Sequence, residues 1–334
     1  MDHPFCSVLV LNYNGKEHLQ GCLRSLERQS YPNFEAILVD NASQDDSVAF
    51  VRENFPYIRI VENGQNAGTA GGFNFGAKFA RGDYMLFLAN DTEVEPNLLE
   101  EMIKTVRMDP SIAICGAKEL KSDERDTISC IGLMLDIYGF PYAIGHNEKD
   151  IGQYDTVKDA ITTGTCILIR RQVFEEIEGY DDEYFTFDEL DLCWRTKLAG
   201  YRILVTPHTT VYHKVGAILS KWQRSRLRYI SERNIMRTLL KNYSTVTIVK
   251  ILPRYLTLLF SEMLFYLAIA RVSMALAVVK AVLWNLRHIK GTLRLRRKIQ
   301  KMRVVSDSLI QKEMIKKSMK VDMFRQWLRG ELVI

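Results

Sequence analysis

Short apolar runs alternate with longer amphipathic segments along the amino-terminal part of the chain. The runs are rich in β-branched or aromatic residues and lie at 7–11, 36–39, 58–61 and 84–88. Between them, segments such as 17–29 and 72–80 place apolar residues at helical spacing. This alternation is typical of βαβ units, so we expect an α/β fold with a mostly parallel sheet flanked by helices.

Polar residues follow three of these runs directly. They are Asn12-Tyr13-Asn14, Asp40-Asn41 and Asn90-Asp91. In a parallel sheet, ligands bind at the carboxyl ends of the strands, where these residues are expected to meet. The pattern therefore predicts a polar binding site at one edge of the sheet.

A glycine-rich segment, NGQNAGTAGGFNFG at 63–76, lies between the third and fourth runs. It matches neither the phosphate-binding P-loop nor the dinucleotide fingerprint, so we exclude both. We interpret it as a turn that enters a helix, where backbone N–H groups around Asn66, Gly68 and Gly72 meet a phosphate or a sugar. A connector without a ligand is the alternative.

Three carboxylates lie close together in EYFTFDELDLCWR, at 183–195. The apolar spacing from Leu190 onward predicts a helix that begins near Asp188 and carries Glu189 and Asp191 in its first turn. Acidic residues there also stabilise the helix dipole, which is the simpler explanation for them.

Charge divides the chain into two parts. Residues 1–213 carry 19 Lys and Arg against 34 Asp and Glu, whereas residues 214–334 carry 26 against 6. We therefore predict an acidic domain at 1–215 and a basic helical region at 216–334 that is attracted to an anionic surface. Scattered cysteines and the absence of a recognisable signal peptide favour buried thiols in the cytoplasm.

The carboxy-terminal part is apolar from residue 251 but is interrupted by Arg254, Glu262, Arg271 and Lys280. No uncharged stretch there is long enough to span a bilayer. Segment 287–303 adds eight Lys or Arg and no acid. We expect amphipathic helices that lie on an anionic membrane surface, with a soluble helical bundle or a homo-oligomer interface as the alternative. Nucleic acid is not expected, because the chain has no motif for it.

Seven segments together resemble an inverting family 2 glycosyltransferase of the GT-A fold, in its rhamnosyltransferase-like group. In chain order they are SVLVLNYNG, ILVDNASQDDS, NAGTAGGFNFG, FLANDTEVEP, GTCILIRR, FTFDELDLCWR and VYHKVG. The resemblance covers about residues 5–240 and implies a nucleoside-diphosphate sugar donor. Each motif is weak alone, but their common order is specific.

The resemblance assigns roles in donor binding. Asp40 matches the carboxylate that binds the nucleotide base, although it could instead cap the following helix with Ser43 and Asp45. Asp91 matches the metal-binding carboxylate of the DxD motif, whose first position is Ala89 here. A strand-end turn is the alternative role of Asp91.

The resemblance also implies that His213 is a second metal ligand. The alternative is that His213 is only a polar surface residue at the end of a strand. With two phosphate oxygens and water, Asp91 and His213 would hold Mn²⁺ or Mg²⁺. Arg233, on a basic segment that includes Lys221, resembles a donor-binding element, and a solvated basic face is its alternative.

The family places a Glu-Asp pair at the catalytic position, where this chain has Asp188-Glu189. Register makes Glu189 the general base, and Asp188 remains its competitor because one methylene changes reach by about 1.5 Å. Asp191 completes the predicted acidic cluster.

The expected function is transfer of a sugar from dTDP-rhamnose or a UDP-sugar to a hydroxyl of a lipid-linked or polysaccharide acceptor in surface glycan synthesis. The expected location is the inner face of the cell membrane. Two alternatives stay open: a degenerate sugar-nucleotide-binding scaffold, which Ala89 and the reversed acidic pair favour, and a nucleotidyltransferase, whose phosphate-gripping signature is missing near the amino terminus.

Overall fold

The computed structural model describes residues 3–214, 216 and 223–330, which form two compact units. The first unit contains the described residues within Met1–Leu133, Ala143–Thr196 and Tyr201–Ala217. The second contains those within Met134–Tyr142, Lys197–Gly200 and Ile218–Ile334. Residue 215, at the predicted domain boundary, and Lys221 lie outside the described residues.

Strands and helices alternate through the first part of the chain. The strands are β1 (Cys6–Asn12), β2 (Phe34–Asp40), β3 (Arg59–Glu62), β4 (Tyr84–Ala89), β5 (Thr92–Val94), β6 (Ile112–Lys121), β7 (Ile128–Cys130), β8 (Leu133–Leu135), β9 (Pro141–Ala143), β10 (Lys158–Asp159), β11 (Ile167–Arg170) and β12 (Arg202–His213). The helices are α1 (Lys16–Glu27), α2 (Ser47–Asn54), α3 (Gly68–Ala77), α4 (Leu98–Arg107), α5 (Arg171–Glu176) and α6 (Glu189–Leu198).

One mixed sheet organises the first unit. Its order is β10-β12-β6-β11-β4-β1-β2-β3, with β5 paired to β12 and β7 paired to β6. Strands β1 to β4 pair in parallel, as do β6 and β12, whereas β11 is antiparallel to both of its neighbours. The predicted mostly parallel α/β sheet, followed by a helical region, is confirmed.

Apolar side chains explain why these strands are central. Val8, Leu9 and Val10 are fully buried in β1, as expected for a parallel strand that is covered on both faces. Helix α1 buries Leu19 and Leu26, which lie on one helical stripe. All six cysteines lie in the described part of this unit and are buried and free, which agrees with the predicted buried thiols.

The second unit is mainly helical. Its helices are α7 (Arg224–Asn242), α8 (Thr245–Ala268), α9 (Val272–Arg287), α10 (Ile289–Met302), α11 (Asp307–Glu313) and α12 (Met319–Leu328). Helix α9 packs against α7 and α8, and α10 packs against α7. Four charged side chains in this unit form a compact ion-pair cluster. They are Arg228, Glu232, Glu262 and Lys320.

Within the described ranges, no single helix has both the length and the hydropathy needed to cross a bilayer. Helices α9 and α10 meet these criteria only as a pair, and they are bent by 68° relative to each other.

Candidate active site

The turns after β1 and β2 are joined by hydrogen bonds at the carboxyl edge of the sheet. Asn12 Nδ2 donates to Asp40 Oδ1 at 3.1 Å and to Ser43 Oγ at 3.0 Å. Ser43 N–H donates to the second oxygen of Asp40 at 2.9 Å. Asp45, not Asp40, accepts the N–H of Ser47, the first residue of α2. Asp40 therefore orders the turn, and its predicted contact with a nucleotide base stays a prediction.

The other two predicted residues of this turn differ in exposure and in role. Asn14 has φ +49° and accepts the N–H of Gln44 at 2.6 Å, so it braces the two turns. The Tyr13 ring is 42% exposed, which leaves an aromatic face available for stacking.

The glycine-rich segment leads into α3, and several of its glycines are closely packed against neighbouring residues. The helix begins at Gly68, earlier than the predicted residue 72, because Asn66 Oδ1 accepts the Gly68 N–H at 3.0 Å. Gly68 has φ +71°, and a Cβ there would lie 2.6 Å from backbone atoms of Phe185. A Cβ on Gly72 would lie 2.5 Å from Leu11. Position 68 therefore requires glycine, whereas a side chain at position 72 would require the end of the Leu11 side chain to move.

Asn41 follows Asp40 directly and was predicted to lie at the sheet edge, but no role was predicted for it. It is 1% exposed, and its Nδ2 donates to Asn66 Oδ1 at 3.2 Å and to the Gly68 carbonyl at 2.9 Å. An amide immediately after a strand-end carboxylate was the available signal. Its contacts tie the glycine-rich segment to the end of β2.

Helix α3 also holds the segment that precedes the acidic pair. Thr69 N–H and Oγ1 both donate to the Phe185 carbonyl, at 2.8 and 3.2 Å. Asn74 donates to the carbonyl of Tyr180 and accepts its N–H, both at 2.9 Å. The glycine-rich segment and the predicted catalytic segment are therefore neighbours.

Asp91 and His213 lie side by side although more than a hundred residues separate them. Antiparallel pairing of β5 and β12 aligns Thr92 with His213, and Lys214 N–H donates to the Asp91 carbonyl at 3.0 Å. His213 Nε2 is 3.6 Å from Asp91 Oδ1. That oxygen is buried and has no hydrogen-bond partner among the described residues.

Asn90 orients the turn that carries Asp91. Its Nδ2 donates to Asn12 Oδ1 at 2.6 Å, so the ends of β4 and β1 are linked. Ala89, in the position of the first DxD carboxylate, contributes its carbonyl, which accepts from Thr92 Oγ1 at 2.6 Å. Asp91 also borders a cavity of about 520 Å³.

The protonation of His213 reflects two opposing influences. Burial lowers the pKa of the imidazole, but Asp91 and Glu119 outweigh burial and raise the pKa above 6.5. Glu119 Oε2 lies 3.9 Å from His213 Nδ1. The imidazole therefore lies between two carboxylates, one facing each ring nitrogen.

Sequence reasoning missed Glu119 entirely. It lies in β6, is 2% exposed, and its Oε1 accepts the N–H of Thr165 at 2.5 Å and of Cys166 at 3.3 Å. The only signal was a carboxylate beside Lys118 in the buried strand IAICGAKELK. A buried carboxylate is costly unless it is paired or hydrogen-bonded, and these N–H groups supply hydrogen bonds to Glu119.

The acidic pair begins α6, as predicted. Asp188 is 4% exposed, whereas Glu189 is half-buried and accessible. Burial, reinforced by Glu189, raises the pKa of Asp188 well above its usual range. Burial, reinforced by Glu119, raises the pKa of Glu189 to about 7. A carboxylate with a pKa near neutrality is suited to accept a proton at physiological pH.

Asp191 has a structural partner. Arg195 Nε donates to Asp191 Oδ2 at 2.8 Å, and both side chains are almost fully buried. Arg195 also donates to the Ile177 carbonyl. We therefore leave Asp191 out of the proposed chemistry, because its carboxylate is neutralised within the helix.

Arg233 belongs to the second unit. Its guanidinium lies 4.7 Å from the centre of the Trp284 ring and donates to Asn234 Oδ1 at 3.1 Å. Its predicted contact with the donor stays a prediction.

The residues present fit a divalent cation only in part. Within the described residues, no group of three or more His, Cys, Asp or Glu side chains could hold a metal. The unbonded Asp91 Oδ1 and the adjacent His213 Nε2 nevertheless offer one oxygen and one nitrogen, a set compatible with Mn²⁺ or Mg²⁺. The remaining ligands would have to come from water and from a bound phosphate.

Curated relatives include glycosyltransferases and glycan-biosynthesis proteins. The amylovoran biosynthesis glycosyltransferase AmsB of Erwinia amylovora is 26% identical over 240 residues, which cover 67% of this chain and 74% of AmsB. The O-antigen biosynthesis protein RfbC of Myxococcus xanthus is 27% identical over 228 residues, which cover 64% of this chain and 18% of RfbC. The chain spans between 18% and 36% of the length of four of the curated relatives it matches.

Solved structures share the fold. Staphylococcus aureus TarS 1-349 in complex with UDP-GlcNAc has a TM-score of 0.56 and 18% identity, covering 92% of both chains. The mannosyltransferase PcManGT from Pyrobaculum calidifontis, in complex with GDP-Man and Mn²⁺, has a TM-score of 0.55 and 16% identity, covering 85% of this chain and 88% of that one. These similarities confirm the predicted GT-A fold.

The family model described as glycosyl transferase family 2 matches residues 7–178, just over half of the chain. This range contains five of the seven motifs on which the predicted resemblance was based. The chain therefore belongs to glycosyl transferase family 2.

Proposed function

We propose that this chain is an inverting, divalent-cation-dependent glycosyltransferase of surface polysaccharide or O-antigen synthesis. It would transfer a sugar from a nucleoside-diphosphate donor, dTDP-rhamnose or a UDP-sugar, to a hydroxyl of a lipid-linked or polysaccharide acceptor. The names of AmsB and RfbC support the glycan class, and the complexes of TarS and PcManGT support the donor class. The observation that carries the proposal is the placement of Asp91 beside His213 at the carboxyl edge of the sheet.

Glu189 is our candidate for the general base. It is half-buried and reachable from solvent, whereas Asp188 is almost completely enclosed. A raised pKa holds part of the Glu189 population protonated near pH 7, so activity should increase as the pH rises through about 7. Burial and the neighbouring Glu189 raise the pKa of the enclosed Asp188, so we assign Asp188 no reacting role.

The proposed reaction is a single displacement. The acceptor hydroxyl oxygen attacks the anomeric carbon while its proton moves to a Glu189 carboxylate oxygen. The bond between the anomeric carbon and the diphosphate oxygen breaks, and the nucleoside diphosphate leaves with both electrons of that bond. Attack from the face opposite the leaving group inverts the anomeric configuration.

Asp91 and His213 would hold the cation, which neutralises charge on the departing diphosphate when it is bound. Asp40 and the Tyr13 ring would recognise the nucleotide base, and the segment around Gly68 would contact the phosphate or the sugar. In this assignment, each polar cluster at the sheet edge would bind a different part of the donor.

A panel of nucleotide sugars tests the function. Each is mixed with the protein and Mn²⁺, and the melting temperature is measured, because a ligand that binds the folded state raises it. The stabilising donor is then used in transfer and hydrolysis assays, with the product anomer read by proton NMR. We expect Asp91→Asn to reduce turnover at least a hundredfold.

Asp83→Asn is the matched control, since Asp83 is an exposed carboxylate just before β4, at the other end of that strand. Asp91→Asn protein with normal transfer would refute the proposal. Donor binding without transfer or hydrolysis would favour the degenerate scaffold, and release of pyrophosphate would favour a nucleotidyltransferase.

We further propose that the second unit binds the anionic lipids at the inner face of the cell membrane. Helix α8 buries Ile251, Tyr255 and Leu259 on one face. Its exposed face carries a second apolar stripe, which at 3.6 residues per turn lies on the opposite side of the helix. The stripe consists of Val246, Val249, Leu256, Phe260, Leu264 and Leu267.

A solvated helix normally presents polar residues on its exposed face, so this stripe, about 30 Å long, calls for an apolar partner. Helix α9 exposes Val272, Leu276, Leu283 and Leu286 in the same way. Charge favours a bilayer as that partner, because exposed cations accompany both stripes. They are Lys250, Arg254, Lys280, Arg287, Lys290, Arg294 and Arg297.

Co-sedimentation with vesicles tests this surface. Binding should be strong to phosphatidylglycerol vesicles, weaken with salt, and be weak to phosphatidylcholine vesicles and to RNA. Phe260→Glu should weaken binding about tenfold by placing a charge in the stripe. Ser261→Glu, which adds the same charge outside the stripe, is the control. Unchanged vesicle binding by Phe260→Glu, with loss of an oligomer in sedimentation, would instead identify a chain-to-chain interface.

A further inference from the structure

We propose that Glu119 is a positioning residue that holds the His213 imidazole with Nε2 directed toward Asp91, so that the pair can bind a cation. This inference rests on the proposed function and deepens it, because it adds a third side chain to the site. Glu119 would not touch the cation or the substrate. It would act only through His213.

The first argument is the line of three side chains. Glu119 Oε2 is 3.9 Å from His213 Nδ1, and His213 Nε2 is 3.6 Å from Asp91 Oδ1. A neutral imidazole that donates through one ring nitrogen can bind a metal only through the other. With a cation beside Asp91, the carboxylate facing Nδ1 would favour the tautomer protonated on Nδ1 and leave the Nε2 lone pair for the cation.

The second argument is the register of the sheet. Strands β6 and β12 pair in parallel, with Glu119 opposite Val211 and Lys121 opposite His213. Side chains two residues apart in a strand share a face, so Glu119 and His213 project from the same face of adjacent strands. The approach of the two groups is thus a property of the sheet.

The third argument is how firmly the carboxylate is held. Its Oε1 accepts from Thr165 N–H at 2.5 Å, Thr165 Oγ1 at 3.0 Å and Cys166 N–H at 3.3 Å. A Cβ on Gly164 would lie 2.2 Å from the same oxygen, so only glycine allows this approach. One oxygen is anchored to the loop while the other faces the imidazole.

Anchoring of the 164–166 loop alone would also explain Glu119, and glutamine separates the two roles. Glu119→Gln retains an amide oxygen that can accept from Thr165 and Cys166, but it presents an NH₂ donor to His213. A purely structural role survives this exchange, whereas orientation of the Nδ1 proton does not. Glu124→Gln makes the same exchange on an exposed side chain soon after β6 and is the matched control.

Two measurements on the full chain decide the matter. Electron paramagnetic resonance with Mn²⁺ alone gives the affinity of the wild type, Asp91→Asn, Glu119→Gln and Glu124→Gln. We expect Asp91→Asn to abolish specific binding, Glu119→Gln to weaken it by 10- to 100-fold, and Glu124→Gln to match the wild type. In the Mg²⁺-loaded wild type, long-range nitrogen–proton NMR should find the His213 proton on Nδ1.

Wild-type Mn²⁺ affinity in Glu119→Gln would overturn the inference while leaving the proposed metal site intact. A proton on Nε2 of His213 would overturn the inference and would also remove that nitrogen from the proposed metal site. Specific Mn²⁺ binding that persists in Asp91→Asn would instead overturn the metal site and this inference together. If Glu119→Gln does not fold, the proton position in the metal-loaded wild type decides. A proton on Nδ1 of His213 supports the positioning role, and a proton on Nε2 refutes it.

Discussion

Replacing Glu189 with glutamine should stabilise the folded protein at neutral pH while removing sugar transfer. Burial and the neighbouring Glu119 raise the pKa of Glu189 from 4.5 to about 7. At about 1.4 kcal/mol per pKa unit, ionising this carboxyl costs the folded state at most ~3.5 kcal/mol. Because water reaches the half-buried side chain, we expect a gain of ~1–3 kcal/mol from the neutral amide.

The sign of the pH dependence follows from proton linkage. Below pH 4.5 both states hold the proton, so the wild type and Glu189→Gln should be equally stable. Between pH 4.5 and about 7 the unfolded chain loses the proton while the folded protein keeps it, so the wild type loses stability as the pH rises. Above about pH 7 the difference between the two proteins should be constant and maximal.

Urea unfolding at pH 5, 6, 7 and 8 measures this difference, followed by tryptophan fluorescence, to which the fully buried Trp194 contributes. Glu53→Gln, an acid-to-amide exchange at an exposed position, is the control and should show no comparable pH-dependent gain. If Glu189→Gln gained no more free energy of unfolding at pH 8 than at pH 5, the reasoning about this carboxyl would be refuted. Retained transfer would move the base to Asp188.

Three further substitutions test other features. Gly68→Ala should lower the melting temperature by several degrees, because residue 68 has a left-handed conformation and its new Cβ would clash with the backbone of Phe185. Gly64→Ala is the control, since there is open space around Gly64, and calorimetry measures both melting temperatures. Arg195→Met should cost about 3–5 kcal/mol in urea unfolding by removing the cation paired with buried Asp191, and a loss under 1 kcal/mol would contradict this. Ala89→Asp should tighten donor binding by restoring the first DxD carboxylate. Equal or weaker binding in a calorimetric titration would count against the match of Ala89 to the first DxD position.

The strands that carry the site could be predicted because each is an apolar run followed by polar residues. Periodicity places Asp40 and Asp91 at strand ends, and a parallel sheet brings strand ends together. The start of α3 at Gly68 was harder to predict, since glycine has a poor helix propensity and the contacts of Asn66 and Phe185 compensate for it.

The contact between Asp91 and His213 could not be derived from local pattern. It depends on the antiparallel pairing of β5 with β12, which joins distant segments, and only the family resemblance suggested it. Glu119 was invisible for the same reason, because its role depends on the register between β6 and β12. Side chains that act through a neighbour leave no motif when that neighbour is far away in sequence.

The six buried thiols provide a built-in probe of local opening. All of them lie in the first unit, so in the folded protein they are protected from thiol reagents there. Burial also raises the pKa of Cys193, within α6, to about 11, which suppresses its reactive thiolate. Labelling rates with a thiol reagent would therefore follow the opening of the first unit.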